Sequence, residues 1–151
     1  MQAQQVRRSG GFDLPCNADT AFPLFSPEGE RAWVKEWDPQ PVFPASIEFR
    51  RDTVFRMGEG EAEAIWTIID ADWETHRAEY VRVAPASHAA RIVVKIDGVD
   101  EESCRVRVSY TITAIGEHGH ALLESFSEGG YAERMQDWRR QISSHLESVP
   151  R

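Results

Sequence analysis

The sequence has few cysteines and no long hydrophobic run. Only Cys16 and Cys104 occur among its 151 residues, and their spacing matches neither a zinc knuckle nor a redox pair. No apolar stretch approaches the roughly 20 residues that a membrane-spanning helix requires. Residues 1–5 also lack the charged segment and apolar core of a secretory signal. We therefore expect a cytoplasmic protein with free thiols and no membrane span.

Positive charge is also scarce. The 17 lysine and arginine residues face 25 aspartate and glutamate residues, which gives a net charge of −8. A nucleic-acid-binding surface has to be basic, because binding displaces counterions from the phosphates. The one basic cluster near the start of the chain, Arg7-Arg8, is too small to provide such a surface. The composition thus predicts no nucleic-acid partner.

The whole chain, residues 1–151, is short enough to form one domain. Its clearest pattern is a change in the spacing of apolar residues in the last third. Residues 104–115 alternate strictly, which predicts a strand with one buried and one solvated face. After Gly119 the spacing becomes helical, and we predict one helix at 131–149. Its packed face is Tyr131, Met135, Trp138, Ile142 and Leu146. Its solvated face is Glu133, Arg134, Asp137, Arg140, Gln141 and Ser144.

The rest of the chain predicts an antiparallel meander after a first strand near 5–16. Its strands are expected at 47–57, 62–70, 76–84, 89–97 and 104–115. Two short helices come between: one capped by Asn17 and running to Phe25, the other beginning at Ser26 and running to about residue 36. Pro44 predicts an irregular or edge segment. Pairing of the first and last strands would bring Cys16 close to Cys104.

Strand 62–70 is apolar on both faces, since Ile65 and Ile69 point away from Trp66 and Ile68. Apolar side chains on the outer face of a sheet need a cover. A symmetric homodimer that buries this face is the partner interaction we predict.

The order of elements and several segments resemble the START-related, polyketide cyclase and plant-allergen superfamily (SRPBCC), as found in uncharacterised bacterial proteins. The segments are Phe22-Pro-Leu-Phe-Ser-Pro-Glu-Gly-Glu-Arg-Ala-Trp33, Thr53-Val-Phe-Arg, Trp66, Glu79-Tyr-Val-Arg-Val-Ala-Pro85 and Val106-Arg-Val-Ser-Tyr110-Thr-Ile-Thr. The resemblance implies an α+β helix-grip fold. In that fold a curved antiparallel sheet of six to seven strands wraps around a long C-terminal helix, with two short helices after the first strand. Such folds host transport, cyclisation, dehydration and co-chaperone roles, so the resemblance implies no single activity.

A sheet that curls around a helix leaves a gap where the side chains do not fill it. We predict a gap of roughly 300–1,000 Å³ bounded by aromatic rings, the size of small-molecule sites. The predicted ligand-binding residues are Trp37, Phe55, Trp66, Tyr80, Tyr110, Tyr131, Met135 and Trp138. Tyr80 and Tyr110 would supply its polar contacts. The alternative is that these rings are ordinary core, because large aromatics dominate packing in any domain.

Other candidate chemistry is weaker. His118-x-His120, near Glu117 and Glu124, lacks a complete zinc ligand set and is more typical of a solvated turn, so we expect no metal. His76 and His88 lie in predicted turns and are expected at the surface. The pairs Glu28/Glu30 and Asp70/Asp72 could act as acid and base, but the same spacings arise at a helix start and a strand end.

Glycine pairs also give no cofactor motif. Gly58-x-Gly60 and Gly129-Gly130 lack the strand-to-helix context of a phosphate loop, and Gly129-Gly130 is expected to break the chain between two helical segments. No serine, cysteine or lysine lies in a nucleophile motif. We therefore expect no cofactor, and the sequence identifies no catalytic residue.

Three functions remain open. The first is a soluble carrier or sensor of a small apolar or amphipathic molecule: a lipid, a polyketide-like compound or an aromatic compound. The second is a cyclase or dehydratase acting in the same cavity, and the third is a protein-interaction or stress-response module without a ligand. Ionisable side chains inside the cavity would favour the enzyme. An apolar cavity would favour the carrier, and a filled core with an exposed apolar patch would favour the interaction module.

Overall fold

The computed structural model describes residues 4–149, in which seven antiparallel strands form one sheet. The strands are β1 Gln5–Leu14, β2 Gln40–Phe43, β3 Val54–Met57, β4 Ala64–Asp72, β5 Arg77–Ala84, β6 His88–Asp100 and β7 Ser103–Ala114. Their order in the sheet is β1-β7-β6-β5-β4-β3-β2. The first strand therefore pairs with the last, and the strands between follow one another as the predicted meander. Residues 1–3, where no secretory signal is expected, lie outside the described residues.

The helices lie as the helix-grip fold requires. They are α1 Ala18–Ala21, α2 Gly119–Ser125 and α3 Glu128–Ser148, with single 3₁₀ turns at Phe22–Phe25, Gly29–Ala32 and Gly60–Ala62. Two short helical segments thus follow β1, and the long α3 packs against β1 and the inner face of the sheet. The predicted α+β helix-grip fold is confirmed. None of the helices at residues 4–149 is long and apolar enough to cross a membrane.

The segment after α1 differs from the prediction. Asn17 caps α1 as expected, since its side chain accepts a hydrogen bond of 2.8 Å from the Thr20 N–H. The helix predicted from Ser26 to about residue 36 is wrong, because only the 3₁₀ turn Gly29–Ala32 forms. Both indole N–H groups in this segment donate to backbone carbonyls: Trp33 to Leu24 and Trp37 to Pro27, each at 2.7 Å. These bonds hold the chain in a compact coil.

Strand 47–57 is shorter than predicted. Only Val54–Met57 joins the sheet as β3, because Asp52 has a φ of 71° and turns the chain. The preceding Phe49 packs against Phe22, with ring centroids 4.9 Å apart. The edge strand β2 at Gln40–Phe43 was not predicted, whereas the stretch after Pro44 is irregular as expected, with no strand before Val54.

The start of α3 is also displaced from the prediction. Ser127 caps the helix, and its hydroxyl accepts a hydrogen bond of 3.1 Å from the Gly130 N–H. Gly129 and Gly130 therefore lie in the first turn of α3, and the break from α2 occurs at Phe126–Ser127. The predicted packed face is confirmed, with Tyr131, Met135 and Ile142 buried and Trp138 and Leu146 half-buried.

The two cysteines are neighbours, as predicted. Leu14 pairs with Cys104 in the register of β1 and β7, and the Cys16 and Cys104 side chains are close enough for each to shift the pKa of the other. Both are free thiols. On β4, Ile65 is half-buried and Ile69 is exposed, so the homodimer over this face stays a prediction.

Candidate functional site

A cavity of about 580 Å³ lies at one end of the sheet, beside α2 and the first turns of α3. Its volume falls inside the predicted range. Its lining residues come from the segment before β2, from β3 to β7 and the loops between them, and from α2, its two ends and α3: Trp37, Met57, Glu61, Ala62, Ala64, Trp66, Arg82, Ala84, Ser87, His88, Tyr110, His118, Leu122, Phe126 and Arg134.

Side-chain size explains why the gap opens here. At the other end, the medium-sized inner residues of β6 and β7, such as Ile96 and Val106, are almost fully buried. At the cavity end, alanine occupies inner positions on neighbouring strands, namely Ala64 and Ala84, and both line the gap. Short side chains at these positions leave room that no helix enters.

Aromatic rings form one wall of the cavity. Trp66 stacks on Phe55 with ring centroids 5.5 Å apart, and Trp37 meets Trp66 edge-on at 5.5 Å. Glu36, with a φ of 61°, turns the chain directly before Trp37. Of the predicted site residues, Trp37, Trp66 and Tyr110 line the cavity.

The other predicted site residues lie behind or beside this wall, outside the lining. They are Phe55, Tyr80, Tyr131, Met135 and Trp138. The Tyr80 hydroxyl donates a 2.5 Å hydrogen bond to the Phe25 carbonyl, so the fold already uses its polar atom. Trp138 lies edge-on to Trp33, with ring centroids 5.5 Å apart.

Arg82 is the residue that the sequence analysis missed and that most changes the character of the site. It lies on β5 between the inward-facing Tyr80 and Ala84. Its guanidinium lies 5.1 Å from the centroid of the Trp66 ring and 6.0 Å from that of Tyr110. Burial lowers its pKa, while Tyr110 and Glu30 oppose that shift when they are ionised. Its position two residues from Tyr80 and Ala84 was the available signal, because alternate residues share a face.

His88 is buried, so its predicted place at the surface is wrong. The strand β6 begins at His88, one residue earlier than expected, and this puts the side chain on the inner face with Ala90 and Ile92. Arg82 Nε donates a 2.9 Å hydrogen bond to His88 Nε2, and Ser87 Oγ lies 2.7 Å from Nδ1. Burial, and secondly the Arg82 charge, lower the pKa of His88 from 6.5 to about 4.

Two further polar groups reach the cavity. Arg134 was predicted on the solvated face of the terminal helix, but it is half-buried and its guanidinium lies 4.4 Å from the centroid of the Phe126 ring. Tyr110 is buried, and its hydroxyl forms no hydrogen bond within residues 4–149. Both groups are therefore free to contact a molecule in the cavity.

Glu30 lies close to this group of residues. Glu30 is half-buried, and desolvation raises its pKa well above the usual 4.5 against the opposing effect of Arg82. Its charge also acts on Tyr80 and Tyr110. Its neighbour Glu28, in contrast, is exposed and pairs with Arg31 at 2.9 Å.

The acidic pair on β4 has structural partners instead. Asp70 lies 3.4 Å from the Arg51 guanidinium, and Asp72 accepts a 2.9 Å hydrogen bond from the Glu74 N–H in the next turn. Neither residue lines the cavity. Their spacing therefore reflects a strand end followed by a turn.

The mouth of the cavity is bordered by the β3–β4 connection and the start of α2. Glu61 Oε2 and His118 Nε2 approach to 3.3 Å across it, and both side chains are exposed. His120 turns away and bonds Gln4 at 3.0 Å. Within residues 4–149 no group of three or more His, Cys, Asp and Glu side chains could hold a metal ion.

Comparison with solved structures relates the fold to known proteins. An uncharacterised protein from Rhizobium leguminosarum has a TM-score of 0.67 at 14% identity, covering 98% of both chains. Ara h 8.0201 has a TM-score of 0.65 at 14% identity, covering 98% of this chain and 100% of that one. Norcoclaurine synthase from Thalictrum flavum, solved with dopamine and hydroxybenzaldehyde, has a TM-score of 0.64 at 13% identity, covering 99% of this chain and 91% of that one.

The sequence itself matches no protein-family model and no curated protein. Identities this low establish the fold alone. The chain therefore shares the helix-grip fold of these proteins, as the resemblance to the SRPBCC superfamily implied.

Proposed function

We propose that this protein binds a small amphipathic molecule in the cavity beside α2. The observation that carries the proposal is the lining of this 580 Å³ space, in which aromatic rings surround two arginine side chains. Small-molecule sites combine a mostly apolar wall with a few polar groups that fix orientation. Trp37, Trp66 and Phe126 supply the wall, and Arg82, Arg134 and Tyr110 supply the polar groups.

The lining favours this function over two alternatives, an interaction module without a ligand and a carrier with a wholly apolar cavity. The cavity is not filled, which removes the main support for an interaction module without a ligand. It is not wholly apolar either, which argues against a carrier of plain hydrocarbons. Arginine keeps its proton under nearly all conditions, so Arg82 and Arg134 are better suited to hold a polar group than to transfer a proton.

A neutral environment-sensitive dye tests this proposal. Nile red should bind the folded protein with increased emission and should quench Trp37 and Trp66, which line the cavity. Ala64→Phe fills the gap and should abolish this binding while the protein stays folded. Thr67→Phe is the matched control, because it adds the same ring to the outer face of the same strand. Equal dye binding by both variants would place the dye elsewhere and refute the proposal.

An acid–base enzyme is the second candidate, favoured by the half-buried Glu30, whose pKa is raised and whose charge acts on the cavity residue Tyr110. A carboxylate whose pKa is raised is a stronger base, so it can take an α-proton from a ketone and, after exchange with solvent, return a deuteron to the same carbon. Catalysed exchange of the α-protons of an aryl ketone such as 4-phenyl-2-butanone, followed by proton NMR in heavy water, tests it. Exchange should require Glu30 and be lost in both Glu30→Gln and Ala64→Phe. Exchange no faster than in buffer would count against the enzyme while leaving the binding proposal intact.

A further inference from the structure

The cavity holds positive charge that the described part of the protein does not neutralise. Arg82 has no carboxylate oxygen within 4.0 Å in residues 4–149, although eight other arginines of that range form such pairs: Arg31, Arg50, Arg51, Arg77, Arg91, Arg105, Arg107 and Arg140. The side chains of these eight arginines are all more than a third exposed. Arg82 thus combines a guanidinium that burial desolvates with the lack of a carboxylate partner in the described residues.

Arg134 increases this imbalance. It reaches the same cavity from α3, and its charge acts against that of Arg82. Its guanidinium lies over the Phe126 ring and has no carboxylate within 4.0 Å in the described residues. Two like charges that face one enclosed space disfavour each other unless an anion lies between them.

The neighbouring ionisable groups do not supply that anion. Glu30 is half-buried and pairs with neither arginine in the described residues, and desolvation raises its pKa, which favours its neutral form. His88 accepts a hydrogen bond from Arg82 with a neutral ring. At the mouth, Glu61 is exposed and directed to His118. Tyr80 and Tyr110 are neutral, since burial raises the pKa of both.

The donors available in the cavity match a carboxylate. Arg82 uses Nε for His88, which leaves the two terminal nitrogens of its guanidinium for a ligand. A planar guanidinium binds the two oxygens of a carboxylate in parallel. The Tyr110 hydroxyl has no partner in the described residues and can donate to the same group.

Building on the proposed binding function, we propose that the natural ligand is a small amphipathic carboxylate. Its carboxylate lies between Arg82 and Arg134, and its apolar or aromatic body lies against Trp37, Trp66 and Phe126. An uncharged ligand of the same shape would leave both arginines without a partner, which predicts discrimination by charge.

A pair of probes with the same aromatic body tests this assignment. These are 1-pyrenebutanoic acid, which ends in a carboxylate, and 1-pyrenebutanol, which ends in a hydroxymethyl group. Energy transfer from tryptophan to pyrene reports binding at pH 7.5. Wild type should bind the acid roughly ten- to hundred-fold more tightly than the alcohol, the range expected for hydrogen bonds to a charged group. The acid should also raise the melting temperature more than the alcohol does.

Substitutions of the two arginines test whether they cause the preference for the acid. Arg82→Met should remove most of the preference for the acid, so that the acid and the alcohol bind with similar affinity. Arg82→Lys keeps the charge without the planar guanidinium and should retain part of the preference for the acid. Arg134→Met should weaken this preference. Arg91→Met is the matched control, because Arg91 lies on the outer face of β6, and it should bind like wild type. If Arg82→Met fails to fold, Arg82→Lys and Arg134→Met carry the test.

The outcomes separate this inference from the binding function on which it rests. Equal affinity of wild type for acid and alcohol, both lost in Ala64→Phe, would overturn the charge assignment and support the cavity as a neutral site. Binding of neither probe, with no Nile red binding, would overturn both proposals. An acid preference that survives Arg82→Met and Arg134→Met together would overturn the assignment to these residues.

Discussion

The Arg82 Nε–H donates a hydrogen bond to Nε2 of His88 at 2.9 Å, and this contact fixes the state of the histidine. Arginine can only donate, so Nε2 has to accept and cannot carry a proton. In a neutral ring the proton is then on Nδ1, from which it points to Ser87 Oγ at 2.7 Å. A positively charged His88 would lose the bond from Arg82 and face its charge directly.

Acid should therefore destabilise the protein through His88. The pKa of His88 is about 4 in the folded protein against 6.5 as its ordinary value. The unfolded chain binds the additional proton between these values, so stability is present above pH 6.5 and is lost as the pH falls towards 4. The loss should reach at most about 3 kcal/mol. Urea unfolding at pH 7.5 and pH 5 measures it.

Other groups also titrate over this range, so the comparison is between variants. His88→Gln can accept from Arg82 and donate to Ser87 without titrating. Its stability should fall less than that of wild type between pH 7.5 and pH 5, whereas His120→Gln, at a half-buried position outside the cavity lining, should behave like wild type. Identical pH dependence of wild type and His88→Gln would contradict the assignment.

Glu30 should give the stability of the protein the opposite pH dependence. Its folded pKa lies well above the ordinary 4.5 because of desolvation. The folded state therefore holds a proton that the unfolded state releases, and stability falls as the pH rises from about 4.5 towards the folded pKa. Tyr80, Arg82 and Tyr110 are the ionisable groups on which its charge acts.

Glu30→Gln should remove this penalty. We expect a higher melting temperature than wild type at pH 8, by roughly 2–4 °C for each kcal/mol relieved in a chain of this size, and little difference at pH 4.5. Glu28→Gln, two residues away but exposed, is the control and should show no such gain. A lower melting temperature of Glu30→Gln at pH 8 would mean that the carboxylate is ionised and stabilising.

Part of this site can be predicted from the sequence. Alternation identifies the inner face of β7, including Tyr110, and the same parity applied to β5 would have placed Arg82 between Tyr80 and Ala84 on the inner face. A charged residue at such a position is a signal in itself, because burial of a charge needs a reason. The alternation of side chains along β5 therefore predicts that Arg82 faces inward, but it does not predict which residues Arg82 contacts.

The remaining site residues depend on contacts that local patterns do not contain. A helix advances 100° per residue, so a small rotation of α3 decides whether Arg134 faces solvent or the cavity. A strand that starts one residue earlier moves His88 from a turn to the inner face. The partial burial of Glu30 follows from the compact segment 26–37. Hydrogen bonds from its two tryptophans to backbone carbonyls hold this segment in place of the helix that its capping residues predict.

The cysteine pair predicts selective thiol reactivity. A hydrogen bond with Cys104 lowers the pKa of Cys16, while the same contact and burial raise that of Cys104. The thiolate is the reactive form, and Cys16 is also the more accessible residue. Iodoacetamide at pH 7.5 should therefore label Cys16 first, as peptide mass spectrometry would show. Cys104→Ala should slow this reaction a few-fold, whereas Cys104→Ser keeps a donor and should not. Faster labelling of Cys104 would contradict the assignment.

The tyrosines of the cavity region allow a matched test of which hydroxyl serves the fold and which serves the ligand. Tyr110 and Tyr131 are both buried, and their ring centroids lie 6.0 Å apart. The Tyr131 hydroxyl donates a 2.7 Å hydrogen bond to the Val108 carbonyl, whereas the Tyr110 hydroxyl has no partner in the described residues. Tyr131→Phe should then cost about 1 kcal/mol in the free energy of unfolding, and Tyr110→Phe should cost less than about 0.5 kcal/mol.

Binding should show the reverse order. Tyr110→Phe removes a donor that lines the cavity and should weaken 1-pyrenebutanoic acid about two- to ten-fold, whereas Tyr131→Phe, outside the lining, should leave its affinity unchanged. Urea unfolding and tryptophan-to-pyrene energy transfer on the same preparations measure the two quantities. A Tyr110→Phe variant that loses stability but not affinity would show that its hydroxyl serves the fold, and the ligand would then be held by the arginines alone.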